Sequence, residues 1–261
     1  MGDVMTEVVI VAARRTPQGR FMGAMSKRSA VDLAVAAATA ALQGIGAENV
    51  TQVIVGNVLG AGLGQSMARQ VGVKCGVPLG VPAFTVNMMC ASGLQAVALA
   101  AQAIRADGDG VVLCGGSESM TNAPYVLERA RAGYRLGDGQ LIDTVLRDGL
   151  VDAFDGEHMG LGAEALAERY GITRQEQDAF AAESQRRAGV AMRGGAFAAE
   201  LVPLDELQAD EHPRPDTTAE KLATLKPAFN KAGTVTAGNA SGINDGAAML
   251  VVCSLSVARA K

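Results

Sequence analysis

The sequence predicts an α/β fold in which helices pack on a mixed, mainly parallel sheet, with a long inserted region before the sheet closes. Three observations predict it. Up to residue 120, short apolar runs alternate with helical patterns, in the order strand, helix, strand, helix, strand, helix, strand. From 121 to about 240, polar helices and irregular loops replace that alternation. The apolar run AAMLVVC at 247–253 then restores a strand pattern. The chain accordingly divides into a core at 1–120, an insert at 121–240, and a closing part at 241–261 that returns the last strand to the core.

The first strand is VVIVAA at 8–13, ended by Arg14, Arg15, Thr16, Pro17 and Gly19. Residues 18–28 read as a wet loop. Ser29 opens a helix that runs to 42, with Val31, Leu33, Ala34, Ala37 and Ala38 on one side. The second strand is VTQVIVGNV at 50–58, followed by a loop punctuated by Gly60, Gly62 and Gly64. A short helix at 65–71 is expected to stop at Gly72, with Cys75 as a small filler beyond it. Residues 83–86 form the third strand. The helix from Ala91 is expected to bury Leu94, Val97, Ala98, Ala101 and Ile104. DGVVLC at 109–114 is the fourth strand, and Gly115, Gly116 and Ser117 follow it as Cys90 follows the third; strand ends that gather ligands would make the two corners neighbours, and the glycines read either as tight turn geometry or as a ligand contact. In the insert, 163–170 is helical, and Thr173 with Glu176 forms a capping box for a helix to about 189. Residues 203–227 read as loop.

Bulk composition excludes several classes. At 261 residues and 49% apolar content the chain is long enough for a substantial core and is not disordered. Thirty-two glycines against six Phe, three Tyr and no Trp imply close packing of small side chains. A net charge of −4 without a basic block argues against nucleic acid as a partner. No run reaches the roughly 18 apolar residues of a membrane span. Residues 1–7 lack the order of a signal peptide, so a cytoplasmic setting is expected. Cys75, Cys90, Cys114 and Cys253 match no zinc spacing and are expected to be free thiols, so no metal site is predicted.

The chemistry centres on Cys90. It falls where a strand passes into a helix, beside Ala91, Ser92 and Gly93, whose small side chains admit a substrate atom. Exposed N–H groups at a helix start favour a thiolate, and such a thiol can carry an acyl group. The other reading is a buried, inert cysteine. Residue type and spacing do not separate the two. A base is wanting: His212 reads as a loop residue, and His158, before an alanine-rich helix, is the better pocket candidate. Glu118 reads as a brace for its turn. Asn239 and Asn244 read as structural, in a loop at 233–246 dense in small polar residues.

Five segments together resemble the thiolase family. They are VAARRTPQGRFMGA (11–24), VNMMCASGLQA (86–96), GGSESM (115–120), DGLVDAFDGEHMG (148–160) and KPAFNKAGTVTAGNASGINDGAA (226–248). The resemblance is to the amino-terminal half of the biosynthetic acetyl-CoA C-acetyltransferase type, and implies that family's layered fold. It implies that Cys90 takes the acyl group as a thioester, and that its backbone N–H serves an oxyanion hole. It further implies that Ser241 contacts the pantetheine arm, that His158 and Met159 border the acyl and pantetheine pocket, and that Leu150, Arg214, Leu225 and Phe229 line the coenzyme A site. Arg214 would face the nucleotide. Acetyl-CoA and CoA enter as substrates, and no resident cofactor is implied. The segment 131–158 resembles the family's tetramer-forming loop, implying a dimer-based homotetramer.

Two departures concern contacts: Lys221 stands where the family commonly has serine, and Glu157 where it often has an aromatic residue. A larger one concerns extent. The family's second half carries a histidine in a GHP-type motif, an asparagine that holds the oxyanion water and a second cysteine in a CxGGG-type motif, and none of these occurs in the 261 residues. The resemblance therefore implies that Claisen chemistry requires a complementary carboxyl-terminal part, and that this chain alone is nearly inactive. A broader 3-ketoacyl-CoA thiolase and an inactive CoA-thioester-binding or scaffold fragment are the alternatives. A cysteine hydrolase fits less well, because no histidine lies near Cys90.

Overall fold

A computed structural model describes residues 6–108 and 110–260. Asp109, expected to open the fourth strand, lies outside the described residues, as do residues 1–5 of the segment read as lacking a signal peptide, and Lys261. The chain forms two compact units: Met1–Ala123 with Ala199–Glu211 and Asn244–Lys261, and Pro124–Ala198 with His212–Ile243. Residues 199–211, inside the 121–240 stretch drawn from sequence, thus pack with the first unit.

In the first unit the strands are β1 (Val8–Arg15), β2 (Gly19–Arg20), β3 (Gln52–Gly56), β4 (Ala83–Val86), β5 (Val111–Ser119) and β8 (Asn244–Ser254). The sheet order is β1-β8-β5-β3-β4, with β2 also on β8. β3 pairs parallel with β4 and β5, whereas β8 runs antiparallel to β1, β2 and β5. All strands but β8 therefore point one way. The mainly parallel reading holds by direction, and the chain's late return supplies the one reversed strand.

Side chains of successive strand residues point to opposite faces. Val53 and Val55 join one core with α1 (Ala30–Ala41) and α2 (Met67–Lys74), and Ile54 joins another with Ala96, Ala100 and Ile104 of α3 (Ser92–Asp107). Val112 and Cys114 likewise face α3, while Val111 and Leu113 face α1. Being covered on both faces is why these strands read as continuous apolar runs rather than alternating ones.

Three local expectations change. Gly72 lies inside α2: a Cβ there would sit 3.2 Å from Val53 Cγ2, so glycine lets the helix approach the sheet, and the helix ends instead at Cys75 before Gly76 (φ +84°). The buried stripe of α3 is Ser92, Ala96, Ala100 and Ile104, at intervals of four, whereas Leu94 is 74% exposed and Ala98 is exposed too. Small residues let this helix lie close to the sheet, and the larger apolar Leu94 is left outside. Gly115, Gly116 and Ser117 are not a turn but the middle of β5.

In the second unit, β6 (Tyr125–Leu127) and β7 (Leu141–Asp143) form a hairpin, followed by α4 (Met159–Tyr170), α5 (Arg174–Arg193) and the short α6 (Ala219–Ala223). The hairpin is undetected in sequence, and α6 lies within the stretch read as loop. Thr173 and Glu176 form the expected reciprocal capping box of α5. The capping box on α1 pairs Ser29 with Asp32. α7 (Leu255–Ala260) follows β8.

Candidate active site

The Cys90 corner belongs to the first unit. β4 ends at Val86, and after five intervening residues α3 begins at Ser92, one position beyond the expected start. Between them the chain turns through Met89, a non-glycine residue at φ +51°. Asn87 Oδ1 accepts from the Met89 N–H at 3.0 Å. Ser92 Oγ donates to the Met89 carbonyl at 2.6 Å and accepts from the Met88 N–H at 2.9 Å. The Ala91 and Ser92 N–H groups are bonded to the Met88 and Met89 carbonyls, so they serve the corner rather than facing the thiol unpaired. Cys90 itself is exposed and in no disulfide. Cys90 is thus not buried, which removes the burial on which the inert reading rested.

Glycines seat this corner on the sheet. A Cβ on Gly56 would lie 2.4 Å from the Ser92 carbonyl carbon, and one on Gly116 would lie 3.0 Å from Gly93 Cα. Any side chain at Gly56 would lift the start of α3 off the strand ends. The Gly115–Gly116 and Cys90 segments are thus neighbours, as the arrangement of strand ends suggested, and here the glycines permit backbone contact. Gly115 adds a second constraint, with φ +152° and a Cβ position 2.1 Å from the Ala248 carbonyl oxygen.

Glu118 braces the same edge. Its carboxylate accepts from Asn57 Nδ2 at 2.7 Å and from the Val58 and Leu59 N–H groups at 2.9 and 3.1 Å. Burial pushes its carboxyl above the ordinary glutamate value, against the lowering effect of those three donors. The other thiols differ in kind from Cys90. Burial pushes the Cys114 thiol up to about 12, and Cys253 is buried in β8. Burial also raises Cys75, opposed by the Thr39 hydroxyl.

The remaining sequence-predicted residues belong to the second unit. His158 caps α4, with Nδ1 accepting from the Gly160 N–H at 2.9 Å. A neutral ring so bonded carries its proton on Nε2. The imidazole stacks on Phe229 at 4.8 Å between centroids. A Cβ on Gly160 would lie 2.4 Å from that same phenyl ring, so glycine makes room for it on the first turn of α4. His158, Met159 and Phe229 are therefore brought together. Leu150 ends a single π-turn at Val145–Leu150 and is half-buried.

Arg214 is exposed. Its N–H donates to Gln185 Oε1 at 2.7 Å, and its carbonyl accepts from the Thr217 hydroxyl at 2.7 Å. Leu225 is exposed, with its carbonyl accepting from Arg174 Nη2 at 3.0 Å. Ser241 is exposed in the loop before β8. His212 packs against the same loop: a Cβ on Gly242 would lie 2.1 Å from its ring.

Asn239 and Asn244 are structural, as expected. Asn239 accepts from the Thr236 N–H at 2.7 Å and donates to buried Asp178 at 2.9 Å, while Asn244 donates to the Gly19 carbonyl at 2.9 Å. Sequence reading missed Glu164. It holds the 233–235 segment through the Thr234 N–H at 2.8 Å and the Val235 N–H at 2.9 Å. Burial raises its carboxyl, and the hydrogen bonds outweigh that to leave it below the ordinary value. No spacing signal connects residue 164 to 234.

Similarity to known proteins follows the same outline. The family described as thiolase, N-terminal domain, matches residues 8–256. An acetyl-CoA acetyltransferase of Escherichia coli (strain K12) is 52% identical over 267 aligned positions, covering 98% of this chain and 68% of that protein. One from Pseudomonas aeruginosa is 50% identical with the same coverage. Among solved structures, the Bacillus anthracis acetyl-CoA acetyltransferase superposes with a TM-score of 0.94 at 41% identity, over 98% of this chain and 67% of that one. Human mitochondrial 3-ketoacyl-CoA thiolase in complex with CoA also reaches 0.94, at 40% identity with equal coverage.

Proposed function

This chain belongs to the thiolase family and spans its amino-terminal domain, and from that premise we propose that it is an acyltransferase of the acetyl-CoA C-acetyltransferase type. The observation that carries the proposal is the exposed Cys90 thiol, seated by glycines at a strand-to-helix corner. Cys90 Sγ attacks the thioester carbonyl of acetyl-CoA. The carbon–sulfur bond to CoA breaks, CoA leaves as its thiolate and takes up a proton, and the acetyl group stays on Cys90. In the synthetic direction a second acetyl-CoA loses an α-proton to a base of the complementary segment, its α-carbon bonds to the acetyl carbonyl and the Cys90 thiolate leaves, giving acetoacetyl-CoA; in the other direction the CoA sulfur takes the acetyl group and the Cys90 thiolate leaves. The Cys90 N–H contributes to the oxyanion site. His158 and Met159 border the acyl and pantetheine path, Ser241 meets the pantetheine arm, and Leu150, Leu225 and Phe229 line the CoA site. Arg214, exposed and cationic, meets the nucleotide end. Acetyl-CoA is a substrate, and the chemistry calls for no resident cofactor.

The GHP-type histidine and CxGGG-type cysteine do not occur in these 261 residues. A complementary carboxyl-terminal thiolase segment supplies the histidine and the second cysteine that serve as acid and base, and completes the Claisen step. The assembly is a dimer-based homotetramer; exposed Leu136 and Leu141 in the 131–158 segment support an interface there. A cytoplasmic setting agrees with the free thiols of Cys75, Cys90 and Cys114. Among the described residues, no helix is long and apolar enough to cross a membrane.

Incubation with acetyl-CoA followed by peptide mass spectrometry tests the central step. One acetyl group on the Cys90 peptide is expected, and none in Cys90→Ala. Labelling that persists in Cys90→Ala overturns the assignment. A broader 3-ketoacyl-CoA thiolase is the second reading, because the human 3-ketoacyl-CoA enzyme superposes as well as the acetyltransferase does. Equal acyl transfer from long-chain 3-ketoacyl-CoA would favour it.

A further inference from the structure

The Cys90 corner holds a residue in a backbone conformation that a methionine side chain disfavours, and the groups that hold it there are identifiable. Met89 at φ +51° lies in the left-handed region, where a non-glycine residue persists only if its surroundings impose it. Two side chains impose it. Ser92 Oγ spans the turn, bonding the Met88 N–H at 2.9 Å and the Met89 carbonyl at 2.6 Å. Asn87 Oδ1 takes the Met89 N–H at 3.0 Å. Ser92 is itself immobilised, being 4% exposed, with its backbone pressed against Gly56. Cys90 is the next residue after Met89, so the direction of the Met89 peptide sets where the thiol and the Cys90 N–H stand.

We propose that Ser92 is a positioning residue for Cys90: its hydroxyl, bonded on both sides of Met89, holds the strained corner that presents the thiol. Its relevance to catalysis rests on reading Cys90 as the acyl-accepting group. The serine touches no substrate in this scheme. It acts through Met88 and Met89, and Asn87 supports it from the solvent side.

The test uses the full chain and two readouts. NMR backbone shifts of residues 88–91 report the corner directly, and the rate of acetyl transfer from acetyl-CoA to Cys90 reports its chemical consequence. Ser92→Ala is expected to move the shifts of 88–91 while leaving those of β5 in place, and to slow acetyl transfer about tenfold, the scale of one lost buried hydrogen-bond pair. Glycine tolerates positive φ without strain, so in a Met89→Gly background the same serine change is expected to cost about twofold or less. A general loss of packing would cost the same in both backgrounds. If Ser92→Ala does not fold, Asn87→Ala carries the test, because its side chain is exposed and its loss removes only the solvent-side tether.

Unchanged shifts at 88–91 in the serine or asparagine variant overturn the proposal. So does an equal rate cost with methionine or glycine at 89. If the chain takes no acetyl group even with the complementary carboxyl-terminal segment present, the acyltransferase reading fails, while the shifts still decide whether Ser92 holds the corner.

Discussion

Four cysteines of identical chemistry meet different surroundings in this chain, and surroundings decide what each can do. Cys90 is exposed, whereas Cys114 and Cys253 are buried in the sheet. With its thiol pushed up to about 12 by burial, Cys114 carries almost no thiolate at neutral pH. Iodoacetamide at neutral pH is therefore expected to label Cys90 first, with Cys114 and Cys253 protected until the protein is unfolded in denaturant. Peptide mapping over time checks the order, and early labelling of Cys114 would contradict the burial argument. Much at this scale was legible in the sequence: the Cys90 step, the structural character of Asn239 and Asn244, and the bracing by Glu118 all follow from local residue chemistry. Glu164 was not legible, because its partners at 234 and 235 are distant in sequence and no motif joins them.

At the scale of elements, capping was readable and packing was not. Thr173 and Glu176 meet across one helical turn, so their reciprocal bonds are written in adjacent residues. Thr173→Ala is expected to lower stability by about 1 kcal/mol, measured as a shift in the urea midpoint. The seat of α3 on the sheet depends on Gly56, which approaches Ser92 from a different strand. Gly56→Ala overfills that contact and is expected to cost about 1–3 kcal/mol and to slow acetyl transfer to Cys90. A variant with unchanged Tm and rate would show that α3 is not seated by that contact. The face of α3 was misread for the same reason: helical periodicity ranked Leu94 as core, but a helix drawn tight by glycines buries its smallest stripe and leaves the leucine outside.

At the scale of the molecule, an ion-pair network ties the 199–211 segment to the sheet of the first unit. Arg15 binds Asp210 at 2.7 and 3.0 Å and Glu200 at 2.7 Å, and Gln18 N–H donates to Asp210 at 2.8 Å. Burial pushes the Asp210 carboxyl up, but the Arg15 bonds, the Gln18 N–H and the Arg15 charge together bring it below its ordinary value. A carboxyl lowered on folding contributes stability above its unfolded value, and that contribution is lost as the pH falls through the folded value. Urea unfolding of the native chain should therefore show a loss of stability below about pH 4. Asp210→Asn should flatten that dependence and cost about 2–4 kcal/mol at pH 7, since Arg15 keeps its charge with one carboxylate fewer. An unchanged acid limb in the asparagine variant would assign the acid sensitivity elsewhere.

The sequence by itself determined the α/β class, most strand and helix positions, the Thr173–Glu176 capping box and the strand-to-helix position of Cys90, because each is carried by neighbouring residues or by a short period. Only the tertiary structure decided that β8 inserts antiparallel between β1 and β5, that residues 199–211 join the first unit, and that Cys90 stands exposed on a corner seated by Gly56, Gly93 and Gly116. Those outcomes depend on close approach between backbones far apart in the chain. A glycine declares that approach only when its neighbour is in place.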